Sequence, residues 1–206
     1  MDDHERKLYS FLLPKIKNIK KPNILELGVR EGNSTKMFID LVQSNNGKLF
    51  SVDVDDYGHL FSSNSWKFIK SRDDNFNFIL NQIKEDLDLI FIDTTHEAKH
   101  VLKIIQNYYF KLKVGGFIVV DDISWIPYLK NKERNSLYCE INNKETYEVI
   151  LNLFNANENN FDLEFTFISS GFACIKKNNL LNLNLPKQIN TRKFSLKYIY
   201  RKLKNI

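Results

Sequence analysis

The segment Asn23-Ile24-Leu25-Glu26-Leu27-Gly28-Val29-Arg30-Glu31-Gly32-Asn33-Ser34 constrains this chain more than any other. A largely apolar run of strand length leads into two glycines, and a helical pattern begins at Asn33. Strand, glycine turn and helix start in that order make a ligand cradle. Glycine tolerates dihedrals and close approaches that a Cβ forbids, and the free N–H groups of the helix's first turn face the bound molecule. Asn33 or Ser34 is expected to cap that helix. The next strand, Leu49-Phe50-Ser51-Val52-Asp53, ends in an acid twenty-one residues after Gly32. That is the separation at which a carboxylate receives ribose hydroxyls.

The rest of the chain repeats the alternation. Strands are expected at 23–28, 48–53, 66–70, 87–93 and 115–121, separated by helical patterns near 33–44, 74–85 and 97–112, with a turn-rich loop over 54–65. Such alternation means a parallel sheet. A helix near 144–156 precedes two strands, 161–168 and 171–176, joined by Ser169-Ser170 as an antiparallel hairpin. Leu8, Phe11, Leu12, Ile16 and Ile19 predict an amphipathic helix over 4–19, kinked by Pro14 and laid against the sheet. The fold class is therefore α/β, a doubly wound, Rossmann-like, seven-stranded and mostly parallel sheet with a C-terminal antiparallel hairpin. At 206 residues the chain suits one such domain, over 1–185, followed by a tail over 186–206.

In open α/β sheets ligands sit beyond the carboxyl ends of the strands, so Gly28, Asp53, Asp93, Asp121 and Asp122 should share one rim. Three clustered carboxylates, Asp93, Asp121 and Asp122, repel unless something neutralises them. Hard oxygen ligands suit Mg²⁺, which can chelate a substrate hydroxyl and lower its pKa. The alternative is that Asp121 and Asp122 cap a turn and Asp93 bonds a backbone amide.

Glu26-x-Gly28-x-x-x-Gly32 departs from the Gly-x-Gly-x-x-Gly of dinucleotide enzymes and resembles the loop of class I methyltransferases, which use S-adenosylmethionine (SAM). With Phe91-Ile92-Asp93-Thr94-Thr95-His96 and Lys113-Val114-Gly115-Gly116-Phe117-Ile118-Val119-Val120-Asp121-Asp122, the chain resembles the metal-dependent O-methyltransferases over roughly residues 20–125. It is most similar to the branch of macrolide-sugar O-methyltransferases and more distantly to catechol O-methyltransferase. The resemblance implies that Glu26, Gly28, Arg30, Gly32 and Ser34 hold the methionine part of SAM, that Asp53 holds its ribose and that Asp93 stands beside it. It also implies Asp93, Asp121 and Asp122 as magnesium ligands and His96 as the base that deprotonates the acceptor hydroxyl. Histidine suits that task as a residue available in neutral form near pH 7. The chain departs from the branch at Thr94-Thr95, where Gly-Asp is usual, and at Arg72-Asp73, which replaces Gly-Asp after the third strand.

His96-Glu97-Ala98-Lys99-His100 also spells the His-Glu-x-x-His of zinc proteases. Its position just after an acid-ending strand, with only His4 and His59 elsewhere as histidines, fits a methyltransferase loop instead. Trp125, Pro127 and Tyr128 follow the double aspartate and either wall an acceptor pocket or pack ordinarily.

Seven of the thirty basic residues and none of the twenty-five acidic ones follow Pro186, so the net charge of +5 belongs to the tail. The body is slightly acidic, which argues against nucleic acid as a partner. In the tail Leu196, Ile199, Tyr200, Leu203 and Ile206 form one helical stripe and Lys193, Lys197, Arg201 and Lys204 another. A helix of that kind either lies on an anionic membrane surface, packs on the domain or a partner, or stays solvated. Two cysteines without metal-ligand spacing, and neither a signal peptide nor a bilayer-length apolar run, lead to a cytoplasmic expectation, peripheral to membrane in the first case. The functional expectation is a SAM-dependent O-methyltransferase acting on a sugar, glycan or small-molecule hydroxyl. The alternatives are a SAM- or glycan-binding module without turnover, or a related fold that uses the three carboxylates for another reaction. Oligomeric state is not legible.

Overall fold

A computed structural model describes residues 3–126, 136–191 and 195–204. Seven strands form one sheet in the order β3-β2-β1-β4-β5-β7-β6. They are β1 (Asn23–Leu27), β2 (Lys48–Asp53), β3 (Trp66–Lys70), β4 (Leu87–Ile92), β5 (Leu112–Asp121), β6 (Phe161–Thr166) and β7 (Phe172–Lys177). The first five pair in parallel, whereas β7 runs antiparallel between β5 and β6. Strand order reverses between β1 and β4, so the loops after Leu27 and Ile92 part there and open the crevice in which this architecture binds ligands.

The helices are α1 (Asp3–Lys7), α2 (Leu13–Ile16), α3 (Asn33–Ser44), α4 (Phe76–Gln82), α5 (Ala98–Tyr108), α6 (Leu137–Asn157) and α7 (Leu196–Lys204). Alternate residues of each central strand feed opposite faces of the sheet. Leu25, Leu27, Ile90, Ile92, Ile118 and Val120 pack with Ile104 and Tyr108 of α5 and Ile150 of α6. Ile24, Leu89, Phe91 and Val119 pack on the other face with Phe38 and Val42 of α3 and with the N-terminal helix. β4 is buried along its whole length, as its nearly continuous apolar run requires.

The N-terminal helix lies on the sheet as expected, with Leu8, Leu12 and Ile16 buried. Between α1 and α2 it widens into a π-helical segment, Leu8–Leu12. Pro14 explains the widening, because its ring collides with the carbonyl of the preceding turn and it has no N–H to continue the ladder. The extra residue rotates the first turn relative to the last, which lets Lys7 and Leu8 both face inward.

Of the boundaries that differ from expectation, two have a clear local cause. β5 begins at Leu112 rather than 115, because Leu112 already pairs with Leu87 before the chain bends through Gly115 at φ +83. α6 begins at Leu137, where the Ser136 side chain caps it by accepting from the Cys139 backbone N–H. Beyond β7 the chain returns along α6. Lys187 N donates to Asn152 O and Ile189 N to Asn152 Oδ1, each at 2.9 Å, so the path as far as Ile189 is tied to the domain. α7 has no buried residue. No helix among the described residues is long and apolar enough to cross a membrane.

Candidate active site

Gly28 carries φ +96 after β1, and a Cβ there would stand 2.0 Å from the backbone oxygen of Asp93. Only a glycine lets the first loop pass so close to the end of β4. Gly32, at φ +78, is itself the N-cap of α3, and no side chain caps the helix. The expected Asn33 or Ser34 cap is therefore corrected. Ser34 Oγ donates instead to Glu26 Oε1 at 2.6 Å, while Thr35 and Ser51 donate to Glu26 Oε2 at 2.8 and 2.6 Å. A carboxylate buried beneath the loop makes the stronger claim on those hydroxyls. Glu26 is fully buried and lines neither cavity of the site, so its expected contact with the cofactor becomes a brace between β1, β2 and α3. Burial raises its pKa to about 7, with the three hydroxyl donors opposing.

Asp53 ends β2 and organises the loop opposite. Its Oδ2 accepts from Val29 N at 2.8 Å and Arg30 N at 3.4 Å, and its Oδ1 from Asp55 N at 3.1 Å. Arg30 itself sits in the left-handed region, φ +48, a conformation the adjoining glycine turn imposes. Between these loops lies a cavity of about 410 Å³ lined by Gly28, Val29, Arg30, Asp53, Tyr57, Asp73, Asp93, Thr94 and His96, among others. A second cavity of about 310 Å³ adjoins it, lined by His4, Asn33, Ser34, Asp121 and Asp122. The two share Val29, Arg30, Asp93 and His96, so an acid and a histidine stand at their junction.

Thr94, one of the departures, is tied to Asp73, the acid that the pattern keeps after Arg72. Thr94 Oγ1 donates to Asp73 Oδ2 at 2.6 Å, His100 Nε2 lies 2.7 Å from the same oxygen, and Tyr108 OH donates to Asp73 O at 2.9 Å. This network fixes the far wall of the larger cavity. It also disposes of the zinc-protease spelling, since α5 starts only at Ala98 and His96 turns toward Asp93 and Asp122 while His100 turns toward Asp73.

His96 Nε2 lies 3.4 Å from Asp122 Oδ2 and 3.7 Å from Asp93 Oδ1. Its backbone oxygen accepts from Thr146 Oγ1 of α6 at 3.4 Å, which holds the loop from behind. Asp122 adopts φ +58, an uncommon conformation for a residue with a Cβ and one that marks a constrained site. Burial and the neighbouring Asp121 and Asp122 push the Asp93 pKa well above the usual carboxylate range. Burial likewise raises that of Asp121, with Lys7 pulling against it.

The N-terminal helix enters here, and the sequence reading did not foresee it. His4 Nδ1 is 3.7 Å from Asp121 Oδ2, and Lys7 Nζ is ion-paired with Asp121 Oδ1. Ligand atoms of His4, Asp93 and Asp121 all lie within 4.8 Å of one another, an arrangement that can hold a divalent ion. That set differs from the expected Asp93, Asp121 and Asp122, because Asp121 Oδ1 is already taken up by Lys7, Ser170 and the Asp122 backbone, while Asp122 Oδ2 faces His96. The two carboxylates fit Mg²⁺ or Mn²⁺, and the imidazole is the less usual ligand for so hard an ion. Trp125 packs against Tyr147 and Phe167, with ring centroids 4.4 and 5.6 Å away, which favours the packing reading. Pro127 and Tyr128 lie outside the described residues.

A family described as a methyltransferase domain matches residues 25–123. Curated proteins yield no match. Among solved structures, the MycE methyltransferase from the mycinamycin biosynthetic pathway, in complex with Mg and SAH, superposes with a TM-score of 0.65 at 16% identity, over 87% of this chain and 52% of that one. The chain thus spans about half the length of MycE. A candidate caffeoyl-CoA O-methyltransferase from Staphylococcus aureus superposes with a TM-score of 0.62 at 20% identity, over 86% of this chain and 85% of that one. SAH-bound methyltransferase PaMTH1 from Podospora anserina gives 0.57 at 18% identity, over 77% and 72%. Residues 25–123, with the glycine loop at one end and the acid pair at the other, are thus similar to a methyltransferase domain, and the sheet has the fold of these methyltransferases.

Proposed function

We propose that this protein is an O-methyltransferase in which SAM fills the larger cavity and an acceptor hydroxyl enters through the smaller one. The junction of the two cavities at Asp93 and His96 carries this reading. A donor and an acceptor bound on either side of that junction meet where a base already stands. SAM supplies a methyl group on an activated sulfonium, so the protein has only to align the partners and take a proton. Asp53 receives the ribose hydroxyls, the Gly28–Gly32 loop cradles the methionine part, and His96 Nε2 takes the acceptor proton. A divalent ion held by Asp93 and Asp121, with His4 or Asp122, would lower the pKa of the acceptor hydroxyl. The MycE complexes with Mg and SAH support the ion, and the one that also holds mycinamycin VI supports a further ligand bound as acceptor. A binding module without turnover has no use for a histidine at that junction.

Calorimetry with SAM tests the base of the reading. The wild-type protein should bind, and Asp53→Ala should lose about tenfold to a hundredfold in affinity, since it removes a charged acceptor and loosens the Val29 and Arg30 amides. Absent binding, or binding indifferent to Asp53→Ala, would refute it. Release of SAH across a panel of nucleotide sugars, glycans and catechols identifies the acceptor. Turnover unaffected by EDTA would remove the ion and leave methyl transfer standing.

We further propose that α7 rests on an anionic membrane surface. Leu196 and Leu203 are 87% and 69% exposed, and Lys197, Arg201, Lys202 and Lys204 surround them without an acid. Each basic residue near such a surface contributes about 1 kcal/mol. Arg192, Lys193 and Ile206 of the same stretch lie outside the described residues. Vesicles containing phosphatidylserine should co-sediment the wild-type chain and release one carrying Lys197→Glu, Arg201→Glu and Lys204→Glu. Equal, negligible binding of both would defeat the membrane reading.

A further inference from the structure

Lys7 is a charged side chain placed wholly inside the protein, 0% exposed, on a helix whose other fully buried positions are apolar. Its ammonium is fully engaged. It pairs with Asp121 Oδ1, donates to Ser170 Oγ at 2.5 Å, stands 3.8 Å from Asp122 Oδ1 and lies 4.6 Å above the centre of the Phe172 ring. A lysine is buried in this way only where a fixed negative charge holds it.

Asp121 is divided by this contact. Its Oδ1 accepts from Lys7, from the Asp122 backbone N–H at 2.5 Å and from Ser170 Oγ at 3.3 Å, so that oxygen belongs to the protein. Its Oδ2 faces the cluster, near His4 Nδ1. Ser170 sits at the turn between β6 and β7, so Lys7 ties three distant parts of the chain together at the acidic end of β5.

We propose that Lys7 is a resident cation of the carboxylate cluster, which shares Asp121 with the divalent ion and sets the affinity of the site for it. The inference rests on the ion assigned under the proposed function. Asp93, Asp121 and Asp122 would otherwise bring three mutually repelling carboxylates together at one end of the sheet. With all three carboxylates ionised, as an ion's ligands are, one ammonium leaves two net negative charges, which a single divalent ion matches. Lys7 therefore allows the site and the N-terminal helix to be assembled before any ion arrives, and it keeps the ion from being bound too tightly. Lys7 is a positioning residue, screened from substrate by its burial.

The variant Lys7→Met keeps the length of the stem and removes the charge, and Lys7→Arg keeps the charge. Mn²⁺ affinity, read by calorimetry or by the electron paramagnetic resonance of free Mn²⁺, should rise about tenfold or more in Lys7→Met, because a cation beside the ion has been removed. It should stay within about threefold of wild type in Lys7→Arg, which leaves that charge in place. Melting temperature in EDTA should fall in Lys7→Met, and saturating Mg²⁺ should recover more of it than the same Mg²⁺ adds to wild type. Equal Mn²⁺ affinity and equal Mg²⁺ shifts in wild type and Lys7→Met would overturn the inference alone. So would a Lys7→Met protein that stays unfolded with and without the ions. No Mn²⁺ binding by either protein would overturn the ion together with the inference. Binding by Lys7→Met and not by wild type would overturn the shared site, since Lys7 would then stand in the ion's place.

Discussion

Replacing His96 by alanine is expected to lower kcat by about a hundredfold to ten-thousandfold, the range that a positioned general base contributes. SAM affinity should stay within about twofold, because the contacts proposed for its ribose and methionine parts lie on the β1 and β2 loops. The specificity of the effect follows from placement. The His96 imidazole is partly exposed at the junction of the two cavities, and its backbone is held by Thr146 rather than by its own ring. Removing the ring should therefore leave the loop in place. The residual rate in His96→Ala should rise with pH, as solvent hydroxide takes over the proton. A kcat within about threefold of wild type, measured with the identified acceptor at saturating SAM, would remove His96 from the reaction.

The sheet and its rim were legible because both rest on local rules. An apolar run buried on two faces announces a central strand, and an acid that ends such a run must lie at the carboxyl edge. Asp53, Asp93 and Asp121 stand where those rules place them. What escaped was everything that depends on which polar groups find one another after folding. Position alone makes Asn33 or Ser34 a helix cap, yet a buried Glu26 on the preceding strand claims Ser34. Thr94 looked like a departure from pattern until Asp73 appeared beside it.

Lys7 left a trace that could have been followed. It precedes Leu8 and sits four residues before Phe11, a charge set among the inward positions of an amphipathic helix. Such a charge needs a buried partner, and the acid pair after β5 was the obvious place to look. His4, one turn earlier, then follows onto the same cluster. The partner could not be named from sequence because more than a hundred residues separate Lys7 from Asp121, and periodicity reports only on a face, never on what that face meets.

Glu26 leads to a stability that depends on pH. Its folded-state pKa, near 7, lies above the ordinary value of 4.5 because burial disfavours the charged form. Folding therefore favours the protonated carboxyl, and the sign follows from linkage. Below pH 4.5 the group is protonated in both states and folding carries no penalty from it. As pH rises from 4.5 to 7 the unfolded chain ionises first, so stability falls, and above 7 the loss is constant. Between pH 5 and 8 the loss is about 2–3 kcal/mol. Glu26→Gln removes the titration while keeping an acceptor for two hydroxyls and turning the third. Its absolute stability carries an offset from that rearrangement, so the measure is the difference in unfolding free energy between pH 5 and pH 8. Asp93 and Asp121 titrate in the same sense in both proteins and cancel, apart from the minor share of the Asp93 shift that Glu26 itself contributes. Denaturant unfolding should show the wild type losing about 2–3 kcal/mol more than Glu26→Gln over that interval. Parallel pH profiles would mean that the three hydroxyls of Ser34, Thr35 and Ser51 hold Glu26 ionised throughout, and that the brace beneath the cofactor loop is a charged one.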